Sequence, residues 1–405
     1  VPNRSSPPIS LVVLMAMMMS MAALAIDMML PALLDIAAEY QLENKNQSQW
    51  VVTAVFIGMA VGQLFYGPVS DRFGRKGPIA LGYLLFCSGA LLCFLAPSFE
   101  LLIAGRLIQG MGAAAPRVLT VAIVRDKLQG EAMAKVMSVI FSVFILIPIF
   151  APSLGQVVMH LAGWRWIFGV LFCAGAIVAL WFSFGLEETL DKAKRRPLSL
   201  ASIGEGFRFF FTQPQAVSYT VLSGLIFGVF MAYLNSASII YIKLYDMGAM
   251  FGVLFAVAAC SVGAASLVNG QLVTKLGMRP LVRGALIAVI GLSALFLIVL
   301  LLLAELPPLW LLMGYMVLVF FSVGILFGNL NSLAMEPLGA LAGLGSAIVA
   351  SLSTLIAIPI GALIGANITT NVTPLVLGFL LCGSAGLLAQ LWGQRAVQAL
   401  ACHDG

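Results

Sequence analysis

Twelve times along this chain some twenty apolar residues follow one another almost without charge, and little but a bundle of membrane-spanning helices can be built from that pattern. At a rise of about 1.5 Å per residue, each run crosses a hydrocarbon core of roughly 30 Å. Backbone N–H and C=O groups in such a core must pair within the segment, which makes each run a helix. The runs lie near 9–37, 48–69, 78–96, 101–124, 134–159, 164–185, 215–242, 251–273, 280–303, 308–332, 343–367 and 372–394. Composition agrees, with 61% of residues hydrophobic and 9% charged. The expected fold class is an all-α polytopic membrane protein with 12 transmembrane helices. The first run, from Ile9, reads as too long for a cleavable signal.

The few charges set the topology. With both termini cytoplasmic, that side collects Arg4, Arg72, Arg75, Lys76, Arg125, Lys127, Lys135, Lys192, Lys194, Arg195, Arg196, Arg208, Lys275, Arg279, Arg283 and Arg395, sixteen cations in all. Only Lys45, Arg165 and Lys243 fall outside, and cytoplasmic loops carry such an excess. The net charge of +5 therefore speaks of orientation in a lipid bilayer and not of nucleic acid. The longest polar stretch, 186–213, holds Glu187, Glu188, Asp191 and four cations, then Leu198, Ile203, Phe207 and Phe210 beside Arg208. It reads as a cytoplasmic linker with an interfacial helix. It divides an N-terminal six-helix bundle at 1–185 from a C-terminal one at 214–405.

Several chemistries find no footing. Cys87, Cys93, Cys173, Cys260, Cys382 and Cys402 are scattered, with neither metal-ligand spacing nor a disulfide pattern. Without a G-x-x-x-x-G-K-[ST] loop, ATP is not the expected energy source. No H-E-x-x-H or comparable cluster points to an intramembrane enzyme, and His160 and His403 fall outside the runs. The chain is read as a monomer needing no cofactor and no metal.

Between the second and third runs, Gly67-Pro-Val-Ser-Asp71-Arg72-Phe-Gly74-Arg75-Lys76 sets one carboxylate among three cations. Gly67 and Gly74 permit close passage or a turn. Asp71 can receive helix-end amides or pair with a basic side chain. A weaker copy follows the eighth run: Gly270, Lys275, Gly277 and Arg279 stand 203 positions after Gly67, Arg72, Gly74 and Lys76, with Thr274 replacing the Asp. The halves are thus read as two pseudo-symmetric six-helix bundles with substrate bound between them near the midplane. The spacing G-x-x-x-D-R-x-G-R-K resembles the loop between helices 2 and 3 of the major facilitator superfamily of secondary transporters.

Asp27, in Leu24-Ala-Ile-Asp27-Met-Met-Leu-Pro31, lies inside the first run. A carboxylate there is costly and should face a cavity or a partner. Desolvation penalises its charge, which suits it to carrying a proton. Pro31 has no amide hydrogen, so the Asp27 carbonyl loses its helical partner and the helix should kink. Arg106 lies roughly 8 Å into the fourth run and Asp27 roughly 10 Å deep, so Arg106 is placed to sense Asp27 directly or through water. Arg106-Leu-Ile-Gln109-Gly-Met-Gly resembles the superfamily's helix-4 motif. Arg117, about three turns on, shares that face and either extends a polar stripe or snorkels to the inner interface. Pro148, Pro152 and Gly155 bend the fifth run and allow close packing. They resemble the antiporter motif on helix 5 of the exporter branches, with Ala151 and Gln156 as departures. The Ala–Pro pair there, Ile26-Asp27-Met28-x-Leu30-Pro31, Ile123-Val-Arg125-Asp126 and Met335-Glu336-Pro-Leu-Gly resemble the bicyclomycin-resistance (Bcr/CflA) branch of the drug:proton antiporters.

The resemblance implies a proton-coupled secondary exporter of amphipathic small molecules, a drug/H+ antiporter working by alternating access in a bacterial cytoplasmic (inner) membrane. Multidrug efflux and antibiotic resistance would be its role. Asp27 would carry the proton, Arg106 would tune it, and Asp71 with Arg72 and Arg75 would latch the halves on the cytoplasmic side. Substrate would meet Asp27, Arg106, Gln109, Arg117, Tyr233, Asn235 and Asn331. Asn235 stands 208 positions after Asp27 and is flanked by Tyr233 and Tyr241. For Asn235, Asn329 and Asn331, interhelical hydrogen bonding is the alternative. The alternative function is a dedicated exporter of a natural product such as a siderophore or metabolite.

Overall fold

Each apolar run folds into helix, and the breaks between helices fall where the sequence withdraws a donor or supplies a turn. The computed structural model describes residues 9–128, 130–191, 195, 200–303 and 305–403. Arg4, Lys192, Lys194, Arg196 and Leu198 lie outside the described residues, as do the side chains of Lys45, Lys135 and Ile203. Among the described residues fourteen α-helices follow one another: α1 Ile9–Asp27, α2 Leu33–Glu39, α3 Trp50–Phe73, α4 Lys76–Leu95, α5 Phe99–Lys127, α6 Gly130–Ala162, α7 Arg165–Gly185, α8 Leu200–Phe211, α9 Pro214–Ser238, α10 Phe251–Leu276, α11 Met278–Leu303, α12 Leu309–Met335, α13 Ala342–Ala366 and α14 Thr373–His403. Among the described residues no strand forms, and twelve segments are long and apolar enough to cross a membrane.

The first span is broken. α1 stops at Asp27, Leu30–Ala32 form a 3-10 turn around Pro31, and α2 resumes at Leu33. A proline ring removes one helical donor and crowds the preceding turn, which accounts for the break. The seventh span departs at the matching place: α9 gives way after Ser238 to a π-helical turn, Ile239–Leu244. Ile239 follows Pro31 by the same 208 positions that separate Asn235 from Asp27. Several helices run past the expected ends, among them α3 to Phe73, α5 to Lys127 and α6 from Gly130 to Ala162, and α14 runs furthest, to His403. α8 is the linker helix, with Phe210 buried and Phe211 exposed.

The chain divides into two compact units. One holds the chain up to Met29 and from Trp50 to Leu200; the other holds Leu30–Gln49 and everything from Ala201. The division after Leu200 falls within the expected linker. The hairpin 30–49 joins the second unit because its turn at Leu30–Ala32 packs on α9 and its side chains bond to the end of α13.

In the first unit α5 is central, packed against α3 and α4, while α1 lies on α6. Gly58 and Gly62 of α3 face the α5 backbone with no room for a β-carbon, the close approach that small residues allow between membrane helices. In the second unit α9 is central, against α13 and α14. There Tyr233 is packed among Phe230, Tyr241, Phe255 and Phe320, its ring edge-on to Phe320 at 4.7 Å between centroids.

Candidate functional site

The break in the first span places Asp27 as the last residue of α1, 4% exposed. No described residue forms a hydrogen bond or ion pair with its carboxylate. What fixes the break is backbone packing. Gly155 of α6 lies so close that a β-carbon there would collide with the Met28 carbonyl. Pro152 and Pro148 lie about one and two turns before it inside α6. The expected proton carrier and the expected helix-5 motif thus meet, not through side chains but through one glycine against the next residue of the broken span.

Arg106 is fully buried on α5. Its Nε donates to the Val51 carbonyl at 2.8 Å, Nη1 to Gln109 Oε1 at 2.7 Å, and Nη2 to the Ala25 carbonyl at 3.0 Å. Its guanidinium also stands over the Phe168 ring, 5.6 Å from the centroid. Arg106 therefore ties α5 to α1 and α3 and reaches the main chain two residues before Asp27, without touching the carboxylate. Gln109 Nε2 has no partner among the described residues. Arg117 is half-buried and forms no hydrogen bond or ion pair with a described residue.

The charged loop between α3 and α4 turns at Gly74, whose φ of +92° favours glycine. Gly277, its counterpart in the second half, has φ +79°. Arg75 is buried and holds the loop: Nη1 donates to Ser70 Oγ at 2.6 Å and to Asp71 Oδ1 at 2.7 Å, and Nε donates to Asp126 Oδ2 at 2.9 Å. Burial works against its charge, but the two carboxylates outweigh burial and hold the guanidinium pKa above its usual value. Arg72 is exposed over Phe73, and Lys76 Nζ donates to the Ser183 carbonyl at 2.8 Å.

Glu188 completes this loop, although the sequence by itself places it only among the linker's charges. Its carboxylate accepts the backbone N–H groups of Arg75 at 2.8 Å and Lys76 at 3.2 Å, at the start of α4. It also accepts those of Thr189 and Leu190, both at 3.0 Å. Burial pushes this carboxyl up, yet the four N–H donors prevail and hold it below the usual glutamate range. A carboxylate at a helix N-terminus meets unpaired donors and the positive end of the dipole. The available signal was an acidic pair directly after the sixth span. Asp126 is likewise the second anchor of Arg75.

In the second unit Tyr233 and Asn235 are fully buried, and the hydroxyls of Tyr233 and Tyr241 lie 3.3 Å apart. Asn329 Nδ2 donates to Asn269 Oδ1 at 2.6 Å and so joins α12 to α10. Asn331 is exposed on α12. Glu336 accepts from Gln215 at 2.7 Å and from Arg279 at 3.3 Å.

Comparison with known proteins bears on this arrangement. A family model described as Major Facilitator Superfamily matches residues 11–362. A bicyclomycin resistance protein homolog of Haemophilus influenzae is 36% identical over 253 residues, 62% of this chain and 63% of that protein. The multidrug resistance protein MdtL of Shigella dysenteriae is 32% identical over 263 residues, with the same coverage of 62% and 63%. The uncharacterized MFS-type transporter YdgK of Bacillus subtilis is 30% identical over 367 residues, 90% of each chain. Among solved structures, the xylose transporter XylE of Escherichia coli superposes with a TM-score of 0.71 at 14% identity, covering 96% of this chain and 97% of that one. The human organic anion transporter MFSD10 gives 0.69 at 18%, covering 96% and 100%. At those identities the likeness is one of fold.

Proposed function

We propose that this chain, which belongs to the Major Facilitator Superfamily of transporters, is a proton-coupled exporter of amphipathic small molecules. The observation that carries the reading is Asp27, a carboxylate buried at a helix break within a span and unpaired among the described residues. A charge so placed is costly, and taking up a proton relieves that cost. Export in exchange for protons is supported by Gly155 and its prolines beside the break, and by relatives named for bicyclomycin and multidrug resistance. The excess of Lys and Arg on one side supports a multi-pass protein of the bacterial cytoplasmic membrane with both termini inside. The working unit is a monomer, and protons are its only coupling partner. Transport proceeds by alternating access.

The test is efflux of a fluorescent lipophilic cation from proteoliposomes, with and without an imposed pH gradient. Native protein should show a gradient-dependent component, and Asp27→Asn should lose it while remaining monodisperse. Gradient-driven efflux undiminished in that variant would remove Asp27 from the coupling step.

A further inference from the structure

We infer that the hairpin between α2 and α3 is a clasp on the end of α13, with Asn46 and Gln49 as its two hooks, and that its release is a step in opening the face on which it lies. The inference rests on the alternating-access reading proposed above. Lys45–Gln49 form a short 3-10 helix, started by Asn44, whose Oδ1 accepts the Asn46 N–H at 2.9 Å. In 3-10 geometry residues three apart eclipse, so Asn46 and Gln49 project to one side. Both are buried, at 9% and 5% exposure, in a hairpin whose Glu43, Asn44 and Gln47 are exposed.

What they reach is a helix end that needs donors. The last carbonyls of a helix have no partner within it and carry the negative end of its dipole. Asn46 Nδ2 donates to the Ala366 carbonyl at 2.7 Å and the Ile368 carbonyl at 3.4 Å. Gln49 Nε2 donates to the Gly365 carbonyl at 3.0 Å and to Ser236 Oγ at 3.3 Å. Gly365 is shaped for this contact, since a β-carbon there would collide with the Gln49 amide. Side-chain amides suit a reversible catch: they satisfy carbonyls in the closed state, and water can satisfy both groups when the catch opens. A charged pair would bind the two sides through a far larger desolvation penalty. The hairpin enters and leaves between α1 and α3 of the first unit, yet by contacts it belongs to the second. Any opening that moves the hairpin away from α13 must release these bonds.

The test reads the clasp directly, without substrate or pH gradient. Spin labels at Glu43 and Thr370, both exposed, report the hairpin-to-α13 distance in a cysteine-free background. The native protein should show a dominant short-distance population and a minor longer one. Asn46→Asp turns the donor into an acceptor facing carbonyls, and Gly365→Ala displaces Gln49 while keeping every donor. Each should raise the longer-distance fraction about tenfold, the scale of one to two net hydrogen bonds. Gln47→Leu, beside the hooks and exposed, should change nothing. Unchanged distances in Gly365→Ala, or an equal shift in Gln47→Leu, would overturn the clasp. Because no transport is measured, loss of the exporter reading and loss of the clasp remain distinct results.

Discussion

At the scale of single residues, the best-defined chemistry is that of Glu188. Its folded-state carboxyl titrates below the unfolded one, so its contribution is present above the ordinary glutamate value of about 4.3 and is lost as pH falls through the lower, folded one. Backbone amide protection at Arg75 and Lys76, taken relative to the intrinsic exchange rate at each pH, should therefore hold from neutral pH down to about 4.3 and fall below it. In Glu188→Gln the two amides should exchange fast throughout, because one amide oxygen cannot serve four donors, and the acid step should vanish. An acid step surviving in that variant would assign it to another carboxylate. Sequence alone placed Asp27 in a span and Arg75 in a dense loop, and both readings carried through to burial and context. It could not place Glu188, because Glu188 and Lys76, 112 positions apart, meet only through the packing of α4 on α7. Nor could it show that Arg106 spends its donors on carbonyls: depth along a helix follows from rise, but rotation of a long side chain follows from what neighbours leave unsatisfied.

At the scale of elements, the broken first span shows why the helix-5 motif needs its glycine. Pro31 was a legible cause of the break, whereas the π-helical turn at Ile239–Leu244 carries no proline and had no signature in sequence. Proline weakens the helix at Asp27, but it is Gly155 that lets α6 lie against the opened turn. A β-carbon here meets backbone, which cannot swing aside as a flexible side chain can. Gly155→Ala should therefore cost about 1–3 kcal/mol, the range for overpacking a close contact, although alanine is the better helix former. Thermal unfolding in detergent should show a lower Tm. Pro152→Ala, which lies on the same helix without that contact in the way, is the comparison that separates crowding from helix propensity. A Tm raised by Gly155→Ala would mean that α6 does not hold the break.

At the scale of the whole chain, the repeat is evident in sequence and the fold keeps it, yet the two copies carry unequal loads. Gly74 and Gly277 make the same left-handed turn, 203 residues apart. Around the first, Arg75 pairs with Asp71 and Asp126, its side chain 4% exposed and that of Asp126 15%. Around the second, Arg279 pairs with Glu336 at 3.3 Å, their side chains 53% and 52% exposed. The difference traces to substitution within the repeat: Thr274 stands for Asp71 and Met278 for Arg75, so the second copy keeps the turn and loses the buried cation. Removing one member of a buried pair strands the other and costs about 3–5 kcal/mol, whereas an exposed pair is worth about 0–1 kcal/mol. Double-mutant cycles on Tm should accordingly find strong coupling for Arg75→Ala with Asp126→Ala and almost none for Arg279→Ala with Glu336→Ala. Equal coupling in both copies would mean that water reaches Arg75 as freely as Arg279.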